Sequence, residues 1–353
     1  MTKKMMKHIA IILAAMIFSF FAQGCGDSQK IGVFKEYQLS GPFTFRNLSV
    51  FLVHGKDKIE AKDVLTLEEA LDKKKAIIHE TSRVNQLKIE NISDKSTIYI
   101  QSGDIVKGGK QDRVLRYDAV IPPKSGKMSV DAYCVEAGRW RQRGTESARR
   151  FASAPKKLVS KRAKLAAKHK GSQQDMWKEV DNVQNKLSSN LGRSVKSTRS
   201  ESSLVLSLEN KDLLKEAGAY MEHLRDIINK RTDTLGFVFA ISGEINSADI
   251  YSSKQIFKKL WPKTLESCSI EAISEQEKSR SLQQKNVTVE DVVKWLADAE
   301  KGNKTKKNIN PFVDMKINES EDNIGFETVA KPGKGKKEKW IHKNYIKKTK
   351  KKK

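Results

Sequence analysis

The stretch Leu48-Ser49-Val50-Phe51-Leu52-Val53 reads as a β-strand with apolar residues on both faces. Further strands flank it. Over 84–92, Val84, Leu87 and Ile89 stand apolar amid polar neighbours, Thr97-Ile98-Tyr99-Ile100 gives another strand, and 127–135 another. One helix interrupts them: Thr66 is its N-cap, Glu68 and Glu69 lie in its first turn, and Leu67, Ala70 and Leu71 form its apolar face. Residues 31–145 are therefore β-rich.

The pattern then changes period. Over 146–232, Lys157, Lys161, Lys164 and Lys168 recur as a cationic stripe on one helix face. Met176, Val180, Val183 and Leu187 repeat at helical spacing on the next helix. A loop is expected over 188–203, and a further helix over 213–228. Over 233–300 the reading is mixed. Strands are expected at 236–241 and 245–250, a helix starts near Ser253 and is kinked or stopped at Pro262, and an amphipathic helix covers 287–297. From residue 301 to 353 the chain is rich in Lys, Asn and Gly, with one weak strand at 324–329, and reads as a disordered basic tail. The fold class is α+β: a β-rich N-terminal half with one inserted helix, then helices and a second short strand region.

The first residues read as an address rather than as fold. Lys3, Lys4 and Lys7 precede an apolar run over 9–22, which at 14 residues is shorter than the ~20 a membrane span needs. It has the length of a signal-peptide core. The run ends in Ala22-Gln23-Gly24-Cys25, which resembles a bacterial lipobox, with the Cys25 thiol as the acceptor of a diacylglyceryl group. Ordinary cleavage near Gly24 and an uncleaved anchor are the competing readings. The expected organisation is a signal peptide over 1–24, a tether over 25–35, a folded domain over 36–300 and the tail. Gly26 directly after the cysteine points to the outer membrane by the sorting rule of enteric bacteria. The expected location is thus the cell envelope, at the outer membrane or the periplasmic face.

The formal net charge is +25, and it is unevenly placed. From Lys331 to Lys353 there are twelve lysines against Glu338, a net of +11; from Arg141 to Lys170 there are eleven Lys and Arg against Glu146, a net of +10. Such density implies an anionic partner. Trp340 and Tyr345 interleave the C-terminal lysines, which suits either stacking on nucleic acid or settling at a membrane interface. Export favours anionic lipid, lipopolysaccharide or cell-wall polymer over nucleic acid. Beyond Cys25 the cysteines are Cys134 and Cys268, too few for a disulfide framework, so either one bridge or two buried thiols is expected.

Two constellations carry possible chemistry. The first is Gly103-Asp104-Ile105-Val106-Lys107-Gly108-Gly109-Lys110-Gln111-Asp112-Arg113. A phosphate-binding P-loop needs Lys and Ser or Thr directly after its second glycine; Gly109 intervenes and Gln111 follows Lys110, so that motif is absent. The backbone N–H groups around Gly108 and Gly109 suit either an anion nest or, preferably, a hairpin turn. The second is Cys134-Val135-Glu136-Ala137-Gly138-Arg139-Trp140, in which Arg and Trp suit a cation–π ligand edge or, preferably, a core edge with Arg paired to Glu136. Together Lys110, Gln111, Asp112, Arg113, Glu136, Arg139 and Trp140 form the candidate ligand-binding set. None of the histidines His8, His54, His79, His169, His223 and His342 sits in an HExxH motif, so no metal site and no cofactor is expected, and no GxSxG elbow occurs.

These two constellations, with Ile121-Pro122-Pro123-Lys124-Ser125-Gly126 between them, resemble the bacterial family of ARG and rhodanese-phosphatase-superfamily-associated protein domains. Later segments are similar too: 177–187, Gly243-Glu244-Ile245-Asn246-Ser247-Ala248-Asp249-Ile250, and Phe257-Lys258-Lys259-Leu260-Trp261. The resemblance covers roughly residues 36 to 275. It implies a common α+β fold and a shared site, and carries over no catalytic residue. Two functions are expected from this reading: a non-enzymatic envelope lipoprotein that binds or scaffolds, or an enzyme using a polar site around the two motifs.

Overall fold

The computed structural model describes residues 31–276, 286–332 and 337–348. The expected signal segment over 1–24 and the expected lipid-attachment residue Cys25 lie outside these. The described residues form one compact unit.

The strand read first, β3 (Leu48–His54), lies inside a nine-stranded antiparallel sheet, between β2 (Tyr37–Phe45) and β13 (Thr234–Ile241). Its two apolar faces have separate partners. Leu48, Val50 and Leu52 enter a core shared with Leu213, Tyr220, Phe257 and Trp261, which belong to helices Lys211–Leu224 and Lys254–Ser274. Phe51 and Val53 enter a second core against Val292 and Leu296 of helix Val289–Ala299. Helices therefore cover the sheet on both faces, which is why no residue of β3 is left exposed.

Beside the sheet stands a closed six-stranded barrel. Its strands are β5 (Ala76–Arg83), β6 (Gln86–Asn91), β8 (Asp104–Gly108), β9 (Arg113–Leu115), β11 (Lys127–Cys134) and β12 (Arg150–Leu158). Ile78, Leu87, Ile89, Val106, Leu115, Ala132 and Phe151 pack together in its core, joined by Leu67 and Ala70 of the helix Leu67–Asp72. That helix begins as expected: the Thr66 hydroxyl accepts from the Glu69 amide and the Glu69 carboxylate accepts from the Thr66 amide, a capping box.

Three expectations are corrected. The segment 146–232 is not helical throughout, because β12 closes the barrel across Arg150–Leu158. The lysine stripe is consequently split: Lys157 sits in β12, buried and paired with Glu266, while Lys168 is buried in a π-helical turn at Ala166–Lys170. Pro262 does not stop its helix, which runs on to Ser274. Nearly every residue after the proline is buried, and the Thr264 hydroxyl donates to the carbonyls of Leu260 and Trp261, just before the proline.

The tail is also not a disordered segment where it is described. Strands β15 (Asn303–Asn310), β16 (Val313–Glu319), β17 (Asn323–Ala330) and β18 (Lys339–Lys347) complete the sheet. β18 is inserted between β14 (Glu244–Tyr251) and β17, with neighbours on both edges. Lysines in and just after it have internal counterions: Lys343 lies 3.5 Å from Glu327, and Lys348, directly after the strand, 2.5 Å from Glu319. Among the described residues no helix is long and apolar enough to cross a membrane.

Candidate functional site

The two sequence constellations meet at one end of the barrel. The turn after β8 and the loop after β11 are brought together because β9 pairs with both strands, setting Arg113 opposite Cys134. Gly108 and Gly109 have φ of 114° and 56°, so the double glycine makes the hairpin turn. Glycine is also required by space at 109, where a Cβ would lie 2.2 Å from Cζ of Phe151.

The amides of this turn already have partners within the protein: Gly109 N–H donates to the Ser147 and Arg150 carbonyls, and three others meet carboxylates. Gly108 N–H donates to Asp112 Oδ1 at 3.0 Å, Lys110 N–H to Glu80 Oε2 at 3.0 Å and Asp112 N–H to Glu136 Oε2 at 3.2 Å. The nest geometry is thus occupied by the chain's own carboxylates and carbonyls. Three arginines neutralise them. Arg143, which the sequence reading did not single out, forks Asp112 with both contacts at 2.9 Å and reaches Glu136 at 3.2 Å. Arg139 lies 2.7 Å from Glu136 and donates to the Gly108 and Gly109 carbonyls. Arg113 is fully buried, 3.5 Å from Glu80 and 2.9 Å from the Cys134 sulfur. Ser200 and Ser203 complete the shell by donating to Glu136 and Asp112.

Burial works against the Arg143 charge, but its bonds to Asp112 and Glu146 outweigh that, so the guanidinium is held above its ordinary range. Burial pushes the Cys134 thiol up to about 11, with Arg113 opposing. Cys134 and Cys268 are both free and buried. Of the seven candidates, Gln111, Asp112, Arg113, Glu136 and Arg139 form the interlocked cluster, Gln111 through its bond to the Glu136 carbonyl. Lys110 and Trp140 sit outside it, stacked on one another with the ammonium 5.3 Å from the indole centroid.

A second polar cluster, unread in the sequence, joins the barrel to the sheet. The His342 imidazole lies between Asp118, at 2.8 Å from Nδ1, and Asp249, at 2.9 Å from Nε2. Asp118 also accepts from Ser102 N–H and the Thr328 hydroxyl, and Tyr251 stacks on the imidazole at 4.5 Å. Burial opposes the His342 charge, but the two carboxylates prevail and hold its pKa above the usual histidine value. Burial likewise opposes ionisation of Asp118, and His342 with Lys168 pulls it well below the carboxylate range. The Lys168 amine is 3% exposed, has no hydrogen-bond partner, and stands 4.4 Å from the Phe326 ring. Burial pushes its pKa down against the pull of Asp118. The partners lie 93 and 224 residues from His342, so no local spacing signals them.

A third arrangement has hydrolase-like order. Ser40 Oγ lies 2.7 Å from His54 Nε2, and His54 Nδ1 lies 3.1 Å from Asp233. Exposure runs opposite to a catalytic relay, however: Ser40 and His54 are buried, while Asp233 is at the surface and salt-bridged to Arg231. Among the described residues, small concavities of about 20 Å³ beside Val159, Val183 and Ile270 and about 10 Å³ beside Asp104, Lys157 and Lys263 are present. Each has room for about one water, and neither is lined by the motif cluster, His342 or Ser40. Among the described residues no three His, Cys, Asp or Glu side chains cluster as metal ligands.

The model of the family described as ARG and Rhodanese-Phosphatase-superfamily-associated Protein domain matches residues 36–346, and the chain belongs to that family. The match includes the strands of the lysine-rich region. No curated protein and no solved structure matches the chain.

Proposed function

We propose that this family member is an envelope lipoprotein whose folded domain binds or scaffolds at an anionic surface without catalysing a reaction. The observation that carries the reading is the motif cluster: its carboxylates, guanidinium groups and turn amides are committed to one another and buried. A catalytic or small-ligand site keeps convergent polar groups facing a concavity. Here such groups face inward and brace a barrel end. The tether rests on the sequence: a basic start, a 14-residue apolar run, and Cys25 after Ala22-Gln23-Gly24. With two or three acyl chains it would anchor firmly at the outer membrane or periplasmic face.

Two measurements test this. Intact mass of the detergent-extracted protein is expected to show a chain beginning at acylated Cys25; an unacylated chain, or one starting later, removes the anchor. Ligand trapping with the purified protein is expected to give the same result for wild type, Arg113→Ala and Arg139→Ala once each is shown to be folded. A small molecule retained by wild type and lost from folded variants would instead favour the enzyme reading.

A further inference from the structure

The arginines and lysines at this end of the barrel divide into two sets by direction. Arg113, Arg139 and Arg143 point inward, each onto a carboxylate of Glu80, Glu136 or Asp112. Arg83, Lys110, Arg141, Arg149 and Arg150 have no carboxylate partner among the described residues, and all but the partly buried Lys110 are exposed. Most nearby acids are buried or already engaged: Glu80, Asp112 and Glu136 are at most 4% exposed in their side chains, Glu146 is paired with Arg143 and Asp131 with Arg116, while exposed Glu201 on the adjoining loop is offset by exposed Arg199. The field leaving this end of the barrel is therefore positive.

These cations share one rim. Arg83 ends β5 at the hairpin leading to β6, and the carbonyl of Val84 in that hairpin faces the Cys134 sulfur. Gly109 N–H donates to the Ser147 and Arg150 carbonyls, which ties the Lys110 turn to the Arg149–Arg150 segment. Arg139 donates to the Arg141 carbonyl and the Gly109 carbonyl, which ties in the Trp140 loop. At this rim Trp140 is 44% exposed and Val84 45% exposed. The indole is held from beneath, with Arg113 5.6 Å from its centroid, and flanked by Lys110.

We propose that this rim is a docking face for an anionic phospholipid surface, with Trp140 entering the headgroup layer and Arg83, Lys110, Arg141, Arg149 and Arg150 meeting the phosphates. This deepens the surface-binding reading above and rests on it. The chemistry argues for a lipid surface. An amphipathic indole rigidly placed among unpaired cations and one aliphatic side chain matches an interface that is apolar below and anionic above. A single exposed aromatic offers a nucleic-acid strand no succession of stacking platforms.

The test uses the mature polypeptide from Cys25 made without its acyl chains, and sedimentation with vesicles of phosphatidylcholine alone or with 30% phosphatidylglycerol as the probe (~30 mol%, chosen to give a surface potential of tens of millivolts). Wild type is expected to bind only the anionic vesicles. Arg141→Gln, Arg149→Gln and Arg150→Gln combined are expected to weaken binding at least tenfold, and Trp140→Ala alone several-fold at unchanged charge, both with an unaltered thermal transition. Lys304→Gln on the distant edge strand β15 is expected to change nothing. If wild type binds anionic vesicles and the rim variants bind equally well, the rim assignment is overturned while the surface-binding reading stands. If wild type does not bind anionic vesicles, both fall. Tighter binding to a single-stranded oligonucleotide than to the vesicles also overturns the lipid assignment.

Discussion

Arg143 holds both carboxylate oxygens of Asp112 in its guanidinium fork, each at 2.9 Å, with both side chains nearly inaccessible to solvent. Such a pair is costly to halve, because the remaining charge stays buried without its partner. Arg143→Ala is expected to lower unfolding stability by about 3–5 kcal/mol in urea titrations. Arg143→Lys is expected to recover little of this, since an ammonium cannot reproduce the fork. A loss under ~0.5 kcal/mol, the range of ordinary surface changes, would mean that the cluster does not brace the barrel.

Gly109 combines a left-handed backbone with contact against Phe151 and Glu80, so a methyl group meets two obstacles at once. Gly109→Ala is expected to destabilise by at least ~1–3 kcal/mol from crowding alone. Gly126 has a similar φ of 67° but nothing within 4 Å of its would-be Cβ. Gly126→Ala should therefore lose only the backbone contribution, and the difference between the two variants isolates the packing. Equal losses would overturn the crowding argument.

What could be read from the sequence was what local periodicity and capping encode. The two apolar faces of Leu48–Val53, the Thr66 cap and the Gly108-Gly109 turn are all decided within a few residues, and each is found in the structure. The His342 cluster is built from strands and loops far apart in the chain, and chain distance hides it. β18 was hidden differently. Trp340, His342, Asn344 and Ile346 alternate with Ile341, Lys343, Tyr345 and Lys347, but lysine density in and around that stretch dominates composition. The carboxylates that make those lysines compatible with a sheet come from other strands, Glu327 from the adjacent β17 and Glu319 from the end of β16. The fold brings Gln111, Asp112, Arg113, Glu136 and Arg139 of the candidate set together, and only the fold revealed Arg143 as the partner of Asp112 and Glu136.

Because β18 lies between two other strands, it is a structural requirement. A chain ending at Lys331 leaves β14 and β17 unpaired on facing edges and removes His342 and Tyr345 from their cores. Such a truncation is expected to yield insoluble or unfolded protein by circular dichroism and size exclusion. A soluble product with the native thermal transition would return the region to the status of an appendage.

The buried histidines set the pH of maximum stability. His342 has a raised pKa in the fold, so its contribution is complete below the unfolded value of about 6.5 and is lost as pH rises through the folded value. His54 has a lowered pKa, caused by burial and then by Arg231, so its contribution is present above about 6.5 and is lost as pH falls through its folded value. Asp118 and Asp249 are lowered as well, and their contribution is lost only at more acidic pH. These windows adjoin, so unfolding free energy is expected to peak near pH 6.5, falling on the alkaline side by up to ~1.4 kcal/mol per pH unit for one proton. Lys168 opposes that alkaline fall. Its pKa is lowered by burial, so stability is regained as pH rises from its folded value toward about 10.4. Lys168→Met removes the offset and is expected to steepen the alkaline decline, as measured by urea unfolding from about pH 5 up to about 10.4, the unfolded lysine value. A wild-type profile that is flat or rising above pH 6.5, with Lys168→Met unchanged, would mean that His342 is not held as an imidazolium between its two carboxylates.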